Sequence, residues 1–346
     1  MSSGSRILVV GHGIAGAMLA YFLKKKGADV CVWDAGMPES ASRVAAGLVN
    51  PITGRRLSLS WRFAEFAPFA RQTYLDIAKE TGAEVWCDFS ILRVMDNSET
   101  LNNWAAKLAD PEFGVYAQAC ADAGEWRFFL KKSAGYGRVN GAGRVDFPTL
   151  LHALARWHGQ NFERRSFVPS ELPELLRNYD QIALCQGAAV AQCPFFGNLG
   201  WNPAKGEALL LRLDASSAPL PRSAAKRQLI LCPVGEGSFW AGSNYDHRFA
   251  HAEPEPARRA QYVSMLEEML DAPFEVVAHR AAIRPSVRDR RPVMGRHPDI
   301  AGLSVFNGMG SKGGLLAPFW ANQFAERLLN DAPLSPEVGI GRWMAR

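Results

Sequence analysis

The sequence predicts a two-domain α/β (α+β) fold: a Rossmann-like domain assembled from discontinuous segments, with an antiparallel-sheet domain inserted into it. Three observations predict this. The chain begins with a strand, glycine turn, helix, strand unit over residues 6–34. It ends with a strand, a glycine-rich turn and a helix. Between them lie short strand candidates separated by turn residues. The two ends are βα in style and the middle is antiparallel in style, so the last strand and helix close back on the first.

The opening unit is RILVVGHGIAGAMLAYFLKKKGADVCVWD. Residues 7–10 form a short apolar strand. Gly11, Gly13 and Gly16 give G-x-G-x-x-G. A helix is expected over 15–26, ended by Gly27, and a second apolar run over 30–33 closes on Asp34. Gly11 permits the tight turn, Gly13 admits a pyrophosphate to the backbone, and Gly16 lets helix and strand pack closely. The first helical turn, with Ile14 and Ala15, offers free N–H groups to phosphates. Asp34 lies 23 positions after Gly11, where a ribose-binding carboxylate is expected. The motif alone reads as a dinucleotide site, and NAD and FAD remain equally open.

Further along, residues 35–56 read as a small-residue loop and 61–79 as an amphipathic helix containing Pro68. A strand is expected over 84–94 and a helix over 101–108. Residues 135–143 hold four glycines and read as a loop. A helix follows over 149–157, then strands over 162–168 and 179–184. Strand candidates at 205–213, 228–232 and 238–242 suggest an antiparallel meander. A helix over 257–270, strands over 274–282 and 303–306, and a helix over 315–329 complete the chain. The expected nucleotide domain comprises 1–80, 140–195 and 275–346, and the substrate domain 81–139 and 196–274.

Composition is that of a globular protein, with 48% hydrophobic and 21% charged residues. The net charge of +5 has no block behind it: Lys24–Lys26 cover one helical turn, and Arg288, Arg290 and Arg291 form a small cluster. Neither is a nucleic-acid tract, so no nucleic-acid partner is expected. The six cysteines (Cys31, Cys87, Cys120, Cys185, Cys193, Cys232) form no C-x-x-C pair, and the seven histidines are scattered, so no metal site is expected. Buried free thiols fit a reducing cytoplasm. The apolar stretch over 6–23 resembles a signal peptide only superficially: its glycines, the lysines after it and Asp34 argue against that. It is also too short and glycine-rich for a membrane span, and no membrane partner is expected.

A second glycine turn, Asn307, Gly308, Gly310, Gly313 and Gly314, can present N–H groups to an anionic or carbonyl oxygen. It is not a P-loop, because Lys312 follows Ser311 rather than glycine.

Seven segments then occur in order over more than 300 residues: GHGIAG with Asp34, ASRVAAGLVNP, YDQIALCQGA, NPAKGEALLL, CPVGEGSFWAGSNYD, IRPSVRDRRPVMG and NGMGSKGGLLAP. Together they resemble the D-amino-acid oxidase, glycine oxidase and sarcosine oxidase superfamily of FAD-dependent oxidoreductases. The resemblance implies non-covalently bound FAD. Its adenosine end would lie near Asp34, its pyrophosphate on Gly11, Gly13 and Gly16, and its adenine against the Val168 backbone. The ring would sit between Arg43, Ala45, Ala46, Gly47 and the loop of Gly308, Gly310, Ser311, Lys312 and Gly313. Gly187 closes the third flavin-contact strand, where Cys185-Gln186 replaces the usual Ala-Thr.

The resemblance also implies oxidation of a C–N bond of a small amine or amino acid by hydride transfer to flavin N5. Arg284 would pair with the substrate carboxylate, unless it serves Asp289 instead. Tyr245 would lie over the substrate. Lys312, or the N-terminus of the last helix, would supply positive charge at the N1/C2=O edge. Trp240 stands where sarcosine-type members carry a lysine tied to oxygen reactivity, and no cysteine follows Cys232 to link the flavin. The stretch 50–61, with Arg55, Arg56 and Trp61, either shapes a distinct pocket or simply turns into a helix. A dehydrogenase, a hydroxy-acid oxidase, an oxidase of a modified tRNA base and a flavin-binding protein without turnover remain alternatives.

Overall fold

The computed structural model describes residues 5–54, 56–216 and 218–344. In chain order these form β1 (Arg6–Val10), α1 (Ile14–Lys25), β2 (Asp29–Trp33), α2 (Ala41–Val44), β3 (Leu48–Val49), β4 (Ile52–Thr53), β5 (Ser58–Leu59), α3 (Phe63–Thr81) and β6 (Trp86–Met95). Then come α4 (Ser98–Leu108), α5 (Pro111–Gly114), β7 (Ala117–Cys120), β8 (Gly135–Val145), α6 (Phe147–His158), β9 (Phe162–Glu163), α7 (Leu172–Asn178) and β10 (Gln181–Leu184). The remainder is β11 (Ala204–Leu213), β12 (Ala224–Lys226), β13 (Ile230–Gly235), β14 (Ser238–Gly242), α8 (Pro256–Met269), β15 (Phe274–Arg284), β16 (Val293–Arg296), β17 (Leu303–Asn307) and α9 (Gly313–Asn330).

Six strands form a sheet in the order β16-β17-β10-β1-β2-β9, parallel except for β16. β1 is buried from Ile7 to Val10, as a central parallel strand must be. Helix α1 crosses between β1 and β2, and α9 packs along both α1 and α3. Gly16 is dictated by this packing: a Cβ there would lie 1.8 Å from the Gly11 carbonyl oxygen. The last strand and helix do return to the first, since β17 pairs with β10 beside β1.

The second sheet runs β15-β11-β14-β13-β12-β6-β8-β3, with β7 added on β8. It is mixed rather than purely antiparallel, because β12 and β6 run parallel. One face packs on α8 through Leu209, Leu211, Leu231, Tyr262 and Leu266. The other meets Ala46, Ile52 and Leu57.

Three expectations are corrected. Residues 135–143 are not a loop but most of strand β8. Their glycines make room for tryptophans: a Cβ at Gly137 would lie 2.4 Å from the Trp104 ring, and one at Gly143 2.2 Å from Trp86. The strand expected over 162–168 shortens to Phe162–Glu163, because β2 ends at Trp33 and offers no further ladder. Finally, β15 pairs with β11 along its length, and β3 and the end of β8 share that sheet. Residues 48–49, 140–145 and 275–284 therefore join the second sheet rather than the nucleotide domain. Arg55, singled out above, lies outside the described residues.

Among the described residues no helix is long and apolar enough to cross a membrane, and no cluster of His, Cys, Asp or Glu is arranged to hold a metal ion.

Candidate active site

The first glycine turn is built as its sequence requires. Gly11 sits at φ +100°, with the Cys185 carbonyl oxygen 2.5 Å from any Cβ it might carry. Gly13 caps α1, which has no capping side chain and no acid in its first turn. The Ile14 N–H is taken by Ser42 Oγ at 3.0 Å. The N–H groups of the first turn that remain open suit a phosphate.

Asp34 ends β2 within reach of that turn. Its Oδ2 accepts the His12 N–H at 2.9 Å. Its Oδ1 accepts Gly36 N–H at 2.9 Å and lies 2.9 Å from Arg164 and 3.4 Å from Arg43. Burial works against the charge, but the His12 and Gly36 N–H groups and Arg43 keep the carboxyl below its usual range. Oδ2 has one donor among the described residues and so retains capacity for a hydroxyl. Arg164 and Ser42 escaped the sequence reading, since nothing in a lone arginine or serine marks it as facing this turn. Val168 lies half-exposed on a turn, its N–H taken by Glu171 at 3.3 Å. Its neighbour Arg165 instead donates its N–H to the Asp34 carbonyl.

The second glycine turn meets the first. A Cβ at Gly313 would lie 2.7 Å from Ile14 Cγ2. Gly308 and Gly310 adopt φ of 82° and 54°. Asn307 reaches back to the Gly187 carbonyl at 2.9 Å, tying the β10 and β17 ends together. Lys312 caps α9 at its N-terminus, while Ser311 is exposed. Burial, then Arg291 and Arg290, lower the Lys312 pKa.

The 43–47 loop is clamped from the second sheet. Trp240 Nε1 donates to the Val44 carbonyl at 2.8 Å, Arg280 donates to that of Arg43, and Gly47 turns at φ 76° against Val145. Arg43, Ala45, Ala46 and Gly47 thus lie where the two sheets meet.

Arg284, at the end of β15, lies across the same sheet face, where a Cβ on Gly206 would sit 2.1 Å from its guanidinium. It donates to the Asn244 carbonyl at 3.0 Å and to Ser243 Oγ at 2.6 Å, and stands 4.4 Å from the Tyr245 ring centroid. It does not pair with Asp289, which holds Arg342. Beneath it is a polar network the sequence did not reveal. Asn244 Oδ1 accepts the Glu207 N–H at 2.8 Å and the Tyr262 hydroxyl at 3.1 Å. Glu207 in turn lies 3.3 Å from buried Lys205 and 2.9 Å from His279. Strand alternation cannot announce a buried charge pair of this kind, because the same residues read equally well as a solvated face.

The sequence profile described as "DAO: FAD dependent oxidoreductase" matches residues 6–327. The chain belongs to this family. FAD is its cofactor, and it is an FAD-dependent oxidoreductase. Among curated relatives, the glycine oxidase of Pseudomonas putida is 26% identical over 97% of this chain and 99% of that one. The tRNA 5-methylaminomethyl-2-thiouridine biosynthesis bifunctional protein of Paracidovorax citrulli is 25% identical over 98% of this chain and 59% of that one. The crystal structure of glycine oxidase from Bacillus cereus superposes with a TM-score of 0.76 at 18% identity, covering 95% and 96% of the two chains. This DAO-family chain fits FAD on its own geometry: an uncapped helix N-terminus for the pyrophosphate, an Asp34 oxygen with spare capacity, and two glycine turns in contact.

Proposed function

We propose that this protein oxidises the C–N bond of a small amine or amino acid that carries a carboxylate. The observation that carries this is Arg284. It is half-buried, it has no carboxylate partner among the described residues, and it lies on the face that meets Trp240 and the 43–47 loop. A guanidinium held this way grips a carboxylate through two parallel hydrogen bonds.

Gly11, Gly13, Ile14, Ala15 and Gly16 would hold the pyrophosphate, and Asp34 the ribose. The loops of Arg43, Ala45, Ala46 and Gly47 and of Gly187, Gly308, Gly310, Ser311, Lys312 and Gly313 would flank the ring. When bound, FAD supplies a two-electron acceptor. Arg284 anchors the substrate carboxylate and so fixes which α-hydrogen faces the ring. Tyr245, its ring centroid 4.4 Å from the guanidinium, would lie over the substrate. Lys312, or the N-terminus of α9, would stabilise negative charge at the pyrimidine edge. FAD stays non-covalent: Cys232 is the last cysteine, and burial pushes its thiol up to about 12, far from the reactive thiolate range.

Anaerobic mixing of holoenzyme with D- and L-amino acids, N-methyl amino acids and hydroxy acids tests this reading. Bleaching of the yellow absorbance by amines but not by hydroxy acids is expected. Bleaching only by hydroxy acids would overturn it. With Trp240 in place of a lysine, reoxidation by an artificial acceptor should outpace reoxidation by oxygen, which stopped-flow absorbance measures directly.

A further inference from the structure

On the sheet face that carries Arg284, two other cations have no partner among the described residues. Lys226 of β12 stands directly opposite Arg93 of β6 in the parallel ladder. The same transverse row continues through Ile230 of β13, Gly242 of β14 and Ala208 of β11 to Arg280 of β15. Residues directly opposite one another share a face. Ile91, Ala224, Ile230, Cys232 and Trp240 on this face pack with Ala46 and Ile52, from the 43–47 loop region and the β4–β5 hairpin. Arg284 is four residues from Arg280 on β15 and so lies on this face too.

The row's three cations are not equivalent. Arg280 is committed to the Arg43 and Pro38 carbonyls and to Glu39. Arg93 and Lys226 make no ion pair and no side-chain hydrogen bond among the described residues. The carboxylate nearest Arg93, Asp96, is held by Arg227. For Lys226 the neighbouring charge is Arg93 itself, and burial followed by that repulsion lowers its pKa to about 8. Two like charges side by side, partly withdrawn from water and uncompensated, are costly. An apolar pair would be cheaper at this position, so the arrangement calls for an anion.

We propose that Arg93 and Lys226 form a distal anion site, which receives a carboxylate or phosphate at the far end of a substrate whose near carboxylate takes Arg284. The near half rests on the reading of Arg284 above. From Lys226 to Ala208 the row crosses three inter-strand steps, roughly 14 Å, and the Arg284 guanidinium stands two residues along over Gly206. A ligand that spans this separation is an extended, doubly anionic amine rather than a glycine-sized one.

Calorimetric titration of the holoenzyme tests this without turnover. The probes are inorganic phosphate, straight monocarboxylates, α,ω-dicarboxylates of graded length and the matching ω-phosphonocarboxylates. At one optimal length the second anionic group should tighten binding by about tenfold over the monocarboxylate, one charge-assisted contact's worth. The arm that binds tighter, carboxylate or phosphonate, identifies the group. Arg93→Gln and Lys226→Gln should each abolish that gain while leaving monocarboxylate affinity and FAD content unchanged, and Lys226→Arg should keep it. Phosphate should still bind Arg284→Ala and be lost in Lys226→Gln. The idea is overturned if chain length makes no difference, or if Lys226→Gln weakens mono- and dicarboxylates equally. Failure of the Arg284 reading looks different: monocarboxylate affinity would then survive Arg284→Ala, whatever happens to phosphate.

Discussion

A single arginine illustrates how this protein turns residues into a site. Arg284 is useful because of what does not touch it: no acid among the described residues neutralises it, and its hydrogen bonds go to a carbonyl and a hydroxyl that orient it without taking its charge. Arg284→Ala should raise KM for carboxylate substrates by about ten- to a hundredfold, the loss of a charge-assisted pair. Unchanged KM in steady-state assays would refute the assignment. Asn244 acts one step removed, since its side chain pins the loop whose carbonyl holds Arg284. Asn244→Ala should therefore raise KM several-fold with kcat nearly intact, and Tyr262→Phe less. A matched fall in kcat would point to a role in the chemistry instead.

Two histidines near the first glycine turn behave differently. Burial lowers His12 to about 4 and His158 to about 3, and their rings stand 6.3 Å apart. Unfolded histidine titrates near 6.5. Between pH 6.5 and 4 the unfolded chain thus binds protons that the folded chain refuses, and stability falls as pH drops through that window. The thermal midpoint should decline from pH 6.5 downward, before the carboxylates titrate. His158→Phe should flatten the decline between pH 6.5 and 5, and scanning calorimetry across pH measures both.

Elements owe their form to neighbours as much as to propensity. β8 contains four glycines and reads as a loop, yet it is an eleven-residue strand, because Trp86 and Trp104 lie flat on Gly143 and Gly137. Gly143→Val should destabilise the protein by about 1–3 kcal/mol through overpacking, despite the higher strand propensity of valine. Chemical denaturation gives the sign, and stabilisation would show that the tryptophan yields. By contrast, β1, α1 and β2 were legible throughout, since a buried parallel strand, a G-x-G-x-x-G turn and a terminal acid leave few alternatives. Arg164 was invisible because its partner Asp34 lies 130 residues away.

At the scale of the molecule, the proposed cofactor region is assembled from both sheets. The 43–47 loop is held by Trp240 and Arg280 from one, and the Gly11 and Gly313 turns come from the other. Binding FAD should therefore couple the two sheets. Apoprotein should unfold in separate steps or at a lower midpoint, and added FAD should raise the midpoint in proportion to the logarithm of its concentration. Asp34→Ala should weaken FAD by about tenfold, read by fluorescence titration. A concentration-independent midpoint would mean that FAD does not bridge the sheets.

The sequence by itself determined the nucleotide-binding half, the return of the last strand and helix to the first, and the family. Each rests on local chemistry: glycines where backbone must approach phosphate, an acid at a strand end, and apolar runs of fixed length. Only the tertiary structure decided which sheet owns β15, that Arg284 is free of Asp289, that Asn244 and Glu207 support it, and that Arg93 and Lys226 stand unpaired on its face. These are facts about strand register. Register is set by the packing of side chains distant in sequence, and no local pattern records it.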